Sequence, residues 1–256
     1  MISRYAVSLH GQDMAEINEN LLILDVNYTP ASITDTTTGL ANRDGALVTR
    51  RYKEVSTVTI SFALRIYDIA VRQSVCQSVI QWAMKGGKLV INDRPDCFLN
   101  VICKTPPAIS SARDWTAALT VVFEAYSIPY WQDEQITSYT LTGRNARGSI
   151  YVPGSAERTF ANVIVKANES VSSLTVGVGD TYITLSGISI PAGRTVLFDY
   201  DSEQNLRIRQ DSTSLLSKRT PASSDDLVAE CGNDNTVYVQ ANNSVIATYN
   251  FRGWWN

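Results

Sequence analysis

The segment VSTVTISFALRIYDIAVRQSVCQSVIQWAMKGGKLVIND, residues 55–93, decides the fold class of this chain. From Val55 to Ile66, apolar residues alternate with small, polar or basic ones, which is the pattern of a strand with one buried face. Asp68 is a suitable helix N-cap, and the apolar residues after it recur at helical spacing. Gly86 follows the last of them and can adopt the positive φ of a helix C-terminus, so we expect one helix over about residues 68–85.

Strands surround this helix in the first half of the chain. Lys88–Asn92 predicts a short strand, and Asp93–Asp96 predicts the turn after it. Thr116–Glu124 is almost continuously apolar, which predicts a central strand buried on both faces. Because a lone helix must cover a sheet, we expect residues 1–130 to form an α+β domain, a β-sandwich with one helix.

The second half of the chain contains no helical pattern. Short alternating apolar segments recur there, separated by turns rich in glycine, proline and asparagine. This spacing predicts an all-β sandwich or jelly roll. The sequence pattern changes between Ser127 and Glu134, so we place the second domain at residues 131–256. The predicted fold class is therefore mostly β with one helix.

The composition excludes several classes of protein. Hydrophobic residues make up 44% of the chain and charged residues 18%, as in a folded protein. The net charge of −3 leaves no basic surplus, so we expect no sequence-specific nucleic-acid binding. Met1–Tyr5 shows no secretion signal, and no apolar stretch could span a bilayer, so we expect no membrane association. Cys76, Cys97, Cys103 and Cys231 form no metal or redox motif, so we expect buried free thiols.

The sequence contains no recognisable catalytic motif. His10 is the only histidine, and no Gly-x-Ser-x-Gly elbow supplies a nucleophile for it. Asp199, Asp201 and Glu203 alternate near a strand end but lack the glycine and distal glutamate of an EF-hand, which favours a solvated turn over a calcium site. A carboxylate pair that meets only in space stays open. We predict a protein that is not an enzyme, with no catalytic residue, metal site or cofactor.

One polar segment is a candidate for contacts between subunits. Thr34–Arg51 is punctuated by glycine and is longer than an ordinary connection, which predicts a functional loop or a hairpin arm. Its basic residues Arg43, Arg50 and Arg51 are the candidate inter-subunit contacts of this arm.

Two aromatic groups are candidates for packing or for partner binding. Pro129, Tyr130 and Trp131 lie at the predicted boundary, where we favour packing at the domain junction. Trp254 and Trp255 lie at the end of the sequence. If both are exposed, they form an apolar patch that implies a partner.

Five local patterns follow one another along the chain. They are the strand and helix from Val58, the segment Lys88–Asp93, the junction Phe123–Trp131, the strand-turn-strand Leu185–Arg207 and the aromatic ending Ala247–Trp255. In this order and spacing they resemble the distal tail protein (Dit) family of long-tailed phages with flexible tails. The resemblance covers nearly the whole chain.

The resemblance implies a structural role in a phage or prophage tail tip or baseplate. Dit proteins form a ring, typically a homo-hexamer, that joins the tail tube protein to the tail-tip hub or tail-associated lysin. Their N-terminal domains make the ring, and their galectin-like C-terminal β-sandwiches anchor receptor-binding proteins for host attachment. The implied location is the virion tail, assembled in the cytoplasm of the bacterial host.

Two other functions agree with the same residues. The sandwich pattern of the second half and its aromatic residues also suit a carbohydrate-binding module. Another baseplate component would share the same β-rich building blocks. An enzyme of unrecognised class would require convergent carboxylates, for which the sequence gives no indication.

Overall fold

The computed structural model describes residues 6–39, 46–113 and 116–256. The chain divides into two compact units, Met1–Trp131 and Gln132–Asn256. The described residues are mostly β-strand, and they contain one α-helix and two short 3₁₀ turns, so the predicted fold class is confirmed. Within the described ranges, no helix is both long and apolar enough to cross a membrane.

The first unit contains a four-stranded antiparallel sheet in the order β3-β6-β10-β9, a two-stranded sheet β4-β5, and a hairpin group in which β7 pairs with β8 and β1. Its elements are β1 (Val7–Leu9), β2 (Gln12–Asp13), a 3₁₀ turn (Met14–Glu16), β3 (Leu21–Thr29), β4 (Ile33–Gly39), β5 (Ala46–Lys53), β6 (Ser56–Arg65), α1 (Ile69–Met84), β7 (Gly87–Ile91), β8 (Arg94–Val101), β9 (Ala108–Arg113) and β10 (Thr116–Ala125).

Helix α1 begins and ends where the sequence predicts. The Asp68 carboxylate accepts hydrogen bonds from the backbone N–H groups of Ala70, at 2.8 Å, and Val71, at 3.1 Å, and so caps the first turn. The helix ends before Gly86, whose φ of 60° is unfavourable for residues with a side chain. Trp82 lies edge-on to Phe123 of β10 with ring centroids 6.0 Å apart, so the helix covers the buried face of the sheet.

Strand β6 alternates as predicted, but strand β10 does not have two buried faces. Val121 and Phe123 of β10 are fully buried, whereas Val122 between them is 40% exposed. Val121 lies opposite Ile60 of β6, and both side chains belong to the covered face. The prediction for β10 was wrong because apolar residues on an exposed sheet face give the same continuous pattern as a strand with two buried faces.

The hairpin after the helix turns two residues earlier than predicted. Asn92 and Asp93 form the turn, and Pro95 and Asp96 lie within β8. The register between β7 and β8 shifts after the pair Ile91 and Arg94, which marks a bulge. A bulge accommodates the proline, which has no N–H to donate to the partner strand.

The second unit is an antiparallel β-sandwich. Its elements are β11 (Trp131–Val152, which starts at the last residue of the first unit), β12 (Arg158–Ala167), β13 (Val171–Val178), β14 (Thr181–Ile190), β15 (Thr195–Tyr200), β16 (Leu206–Gln210), β17 (Thr213–Ser214), a 3₁₀ turn (Leu216–Lys218), β18 (Val228–Glu230) and β19 (Asn233–Trp255).

The long strand β19 connects the two groups of strands in this sandwich. Residues 245–251 pair with β12, which pairs in turn with β15, and residues 237–241 pair with β13, which pairs with β14. The inward side chains of both groups, such as Val163, Phe198, Val176 and Ile183, belong to one hydrophobic core. The alternation places every second side chain of these strands on the outer face of its group.

Candidate interaction sites

The segment predicted as a loop or hairpin arm is a hairpin. β4 and β5 pair antiparallel, with Asp35 opposite Arg51 and Thr36 opposite Arg50. Arg43 lies outside the described residues, and only the backbone of Arg50 and Arg51 is described. The pairing makes the arm a two-stranded ribbon, and among the described strands it forms no ladder with those of the other sheets.

Hydrogen bonds fix the base of this arm. The Glu54 carboxylate accepts hydrogen bonds from the hydroxyl groups of Ser32, at 3.0 Å, and Thr34, at 2.5 Å, and the Glu54 N–H donates to the Ser32 carbonyl at 2.9 Å. The Thr34 and Ser32 hydroxyl groups lower the pKa of Glu54, because they stabilise its charged form. These bonds therefore hold the start of β4 and the end of β5 together.

The predicted junction residues pack within the first unit. Trp131 is buried, and its ring meets Tyr28 edge-on with centroids 5.7 Å apart. The Arg94 guanidinium carbon lies 5.4 Å from the Trp131 ring centroid, and the Lys53 ammonium lies 4.6 Å from that of Tyr130. These cation–π contacts fix the chain segment that leads into the second unit.

The C-terminal tryptophans differ in exposure. Trp254 is only 6% exposed and packs edge-on against Phe160, with ring centroids 5.5 Å apart. The half-buried Trp255 donates a hydrogen bond from Nε1 to the Asp133 carboxylate at 2.6 Å. Burial removes Trp254 from any exposed patch because its ring belongs to the packing of the second unit, whereas part of Trp255 stays accessible.

The acidic residues considered for calcium make contacts within the protein. Asp199 accepts hydrogen bonds from Arg207, at 3.0 and 3.2 Å, and from Arg209 at 2.6 Å. Asp201 accepts the backbone N–H groups of Glu203 and Asn205, each at 2.9 Å, and the bond from Asn205 is the main reason its pKa is lowered. Across the described ranges, no group of three or more histidine, cysteine and acidic residues could hold a metal ion.

His10 packs against a glycine, and three of the four cysteines are buried. His10 sits in an exposed turn with a φ of 54°, and its ring lies against Gly87, where a Cβ would come within 2.2 Å of it. All four cysteines are free; Cys97 is half-buried and the other three are buried. Burial raises the pKa of Cys76, Cys103 and Cys231, so these thiols stay neutral and weakly nucleophilic at pH 7.

A groove in the second unit was missed by the sequence analysis. It has a volume of about 460 Å³ and lies on the outer face of β13, β14 and β19, next to residues 145–147 of β11. Its lining includes Tyr182, Tyr238, Gln240 and Arg147. Alternation along the strands predicts that such side chains face outward, but it does not reveal which strands are neighbours.

Comparison with known proteins gives a fold likeness over nearly the whole chain. The chain is similar to the Dit protein (gp 19.1) of phage SPP1, described as a paradigm of the hub adsorption apparatus in phages that infect Gram-positive bacteria. The TM-score is 0.72 at 10% sequence identity, over 97% of this chain and 98% of that one. The chain has the Dit fold. No family model and no curated protein sequence matches it.

A chain of the phage P2 baseplate, in its activated conformation with Ca, is similar at a TM-score of 0.44 and 10% identity, over 99% of this chain and 98% of that one. The match to SPP1 Dit extends over 97% of this chain, so that structure includes counterparts of both units described above. At 10% identity the likeness lies in the arrangement of elements and not in shared side chains.

Proposed function

We propose that this chain is a structural distal tail protein of a phage or prophage. The observation that supports the proposal best is the Dit fold, shared with SPP1 Dit at a TM-score of 0.72 over nearly the full length of both chains. SPP1 Dit is described as part of a hub adsorption apparatus. In this role the chain contributes contacts and shape, so the proposed function requires no catalytic group.

In the proposal, residues 1–130 form a homo-hexameric ring between the tail tube and the tail-tip hub or tail-associated lysin. A closed ring uses head-to-tail contacts, so each copy must present two different surfaces. The first unit has large apolar side chains that are exposed in the single chain, including Tyr67 at 84%, Ile69 at 60% and Ile102 at 52%. In the proposed ring, contacts between copies would cover such groups.

In the proposal, the arm β4–β5 of one subunit contacts the neighbouring subunit through Arg43, Arg50 and Arg51. Its hydrogen-bonded base at Glu54 supports this role, because the bonds to Ser32 and Thr34 hold the two strands of the ribbon together.

The predicted second domain, residues 131–256, is the proposed galectin-like anchor for receptor-binding proteins in the virion tail. Pro129, Tyr130 and Trp131 are the proposed domain junction, and Trp255 is the accessible part of the proposed partner patch. The net charge of −3 is compatible with a ring through which DNA passes, because a strongly basic protein would retain the genome. In this proposal the tail assembles in the cytoplasm of the bacterial host.

Immunogold electron microscopy tests the proposed location. Antibodies raised against the purified chain are applied to phage particles from cells that carry its gene, and gold is expected at the distal end of the tail. Gold on capsids, along the tube or only on free protein would overturn the proposal. A matched antiserum against the major tail tube protein serves as the control for access to the tail.

The arm is tested separately, by deletion of residues 37–46. We expect the deleted chain to remain folded but to be absent from tails. Two triple variants isolate the charge of the arginines. Replacement of Arg43, Arg50 and Arg51 by glutamine removes the three positive charges and should reduce incorporation into tails. Replacement by lysine keeps the charges and should reduce incorporation less. Normal tails with the deleted chain at their tip would exclude the arm as an inter-subunit contact.

A further inference from the structure

The groove on the second unit consists of two cross-strand rows of side chains. In one row Gly177 of β13 lies between Tyr182 of β14 and Tyr238 of β19. In the next row Thr175 lies between Thr184 and Gln240, on the same strands and the same face. The rows are two residues apart along the strands, or about 7 Å.

The aromatic row is built around a glycine. A Cβ at Gly177 would come within 2.1 Å of the Tyr238 ring, so the ring occupies the space above the backbone of β13 that a side chain would fill. Glycine at this position permits the placement. Both Tyr182 and Tyr238 are half-buried, so each ring is held by the sheet and part of it stays accessible to a ligand.

The second row and strand β11 provide hydrogen-bonding groups beside these rings. The hydroxyl groups of Thr175 and Thr184 form a hydrogen bond with each other, with their Oγ1 atoms 2.9 Å apart. The exposed side chains of Gln240, Asn145 and Arg147 complete the lining with amide and guanidinium groups. Burial raises the pKa of Tyr238, so its hydroxyl group is neutral and can donate a hydrogen bond at pH 7.

This combination fits one class of ligand. A pyranose ring has a C–H face, which is attracted to the negative face of an aromatic ring, and an edge of hydroxyl groups, which pair with amide, guanidinium and hydroxyl side chains. We propose that the groove formed by Tyr182, Tyr238, Gln240 and Arg147 binds a saccharide. Its volume of about 460 Å³ is that of an ordinary small-ligand site.

The lining fits other ligands less well. Arg147 is the one charged residue that lines the groove, which is too little for a phosphate backbone. A lipid chain would leave the amide and hydroxyl groups without partners. The backbone of β14 beside the groove is already hydrogen-bonded to residues 220–224 along its outer edge, so an added peptide strand would find no free backbone ladder there. Saccharide binding goes beyond the proposed tail function, and it would let the protein contact a cell-surface polysaccharide directly.

The test uses the full chain on a printed array of bacterial, plant and animal oligosaccharides, followed by calorimetry with each oligosaccharide that binds. We expect at least one to bind. Gln240→Ala and Arg147→Ala alter exposed side chains and should weaken binding about tenfold each, or about 1.4 kcal/mol. Tyr238→Ala should abolish it, and Tyr238→Phe should retain most of it because the ring remains. Tyr67→Ala, a tyrosine of the first unit, is the matched control.

Three results would overturn the inference. They are the absence of binding to every oligosaccharide, unchanged binding by the Gln240 and Arg147 variants, and loss of binding on Trp255→Ala with the groove variants unaffected. Circular dichroism of each variant separates loss of the site from loss of the fold. None of these results depends on ring formation, so the saccharide site and the tail function fail or succeed independently.

Discussion

The two faces of strand β10 give a stability prediction that can be worked out in detail. Val121→Ala and Val122→Ala make the same chemical change at neighbouring positions on opposite faces. The Val121 side chain is fully buried beneath the helix, whereas Val122 is 40% exposed. Both variants change strand propensity and the unfolded chain by nearly the same amount. The difference between their free energies of unfolding therefore measures the effect of side-chain burial.

The magnitudes follow from the carbon atoms removed. Two buried carbons at about 0.8 kcal/mol each give about 1.6 kcal/mol, and a residual cavity at Val121 raises the loss to about 2–3 kcal/mol. Val122→Ala loses only about 60% of the transfer contribution and leaves no closed cavity, so we expect about 1 kcal/mol or less.

Urea denaturation of the two variants and the parent chain measures this difference. Trp82 lies against Phe123, so tryptophan fluorescence is expected to report unfolding of the first unit. At a slope of about 2 kcal/mol per molar urea, the midpoints of the two variants should differ by roughly 0.5–1 M. Equal losses of unfolding free energy in the two variants would refute the burial of only one face of β10. They would favour burial of both faces, as the sequence pattern predicts.

Two further predictions concern the helix cap and the buried tyrosines. Asp68→Ala removes the acceptor for two N–H groups and should cost about 1 kcal/mol in urea denaturation, whereas Asp68→Ser should be nearly neutral; equal losses would exclude the capping role. Burial raises the pKa of Tyr200 and Tyr249 in the folded chain, so the folded state holds these protons more tightly than the unfolded state. The free energy of unfolding should therefore be constant up to the ordinary tyrosine pKa of about 10 and fall above it, and Tyr249→Phe should flatten this fall. A fall of the same steepness in the variant would contradict the assignment to Tyr249.

Local sequence patterns were sufficient where each element is defined by its own residues. The alternation in β6, the N-cap at Asp68 and the C-terminal Gly86 predicted the strand and the helix within one or two residues. The polar segment from Thr34 was predicted as a long loop or a hairpin arm, and the pairing of β4 with β5 shows that it is a hairpin. These features depend on contacts between residues close in sequence, so a single sequence contains the information.

The candidate sites were less predictable because each depends on distant residues. The sequence around Trp254 does not distinguish a buried tryptophan from an exposed one. Its burial depends on packing against Phe160, which is almost a hundred residues away in the chain. The groove was missed for the same reason. Tyr182 and Tyr238 both face outward in their strands, and only the pairing of both strands with β13 brings them to either side of Gly177.

Residue patterns alone predicted strand β6, helix α1 and the mostly β fold class, but they did not predict most of strand β11. Side-chain periodicity reflects these properties directly, because the period of a helix or a strand is set by its own backbone. The tertiary structure alone decided which face of β10 is buried, whether the tryptophans are exposed and which side chains line the groove. Those outcomes depend on the register and neighbours of strands far apart in the chain, which are fixed by non-local packing.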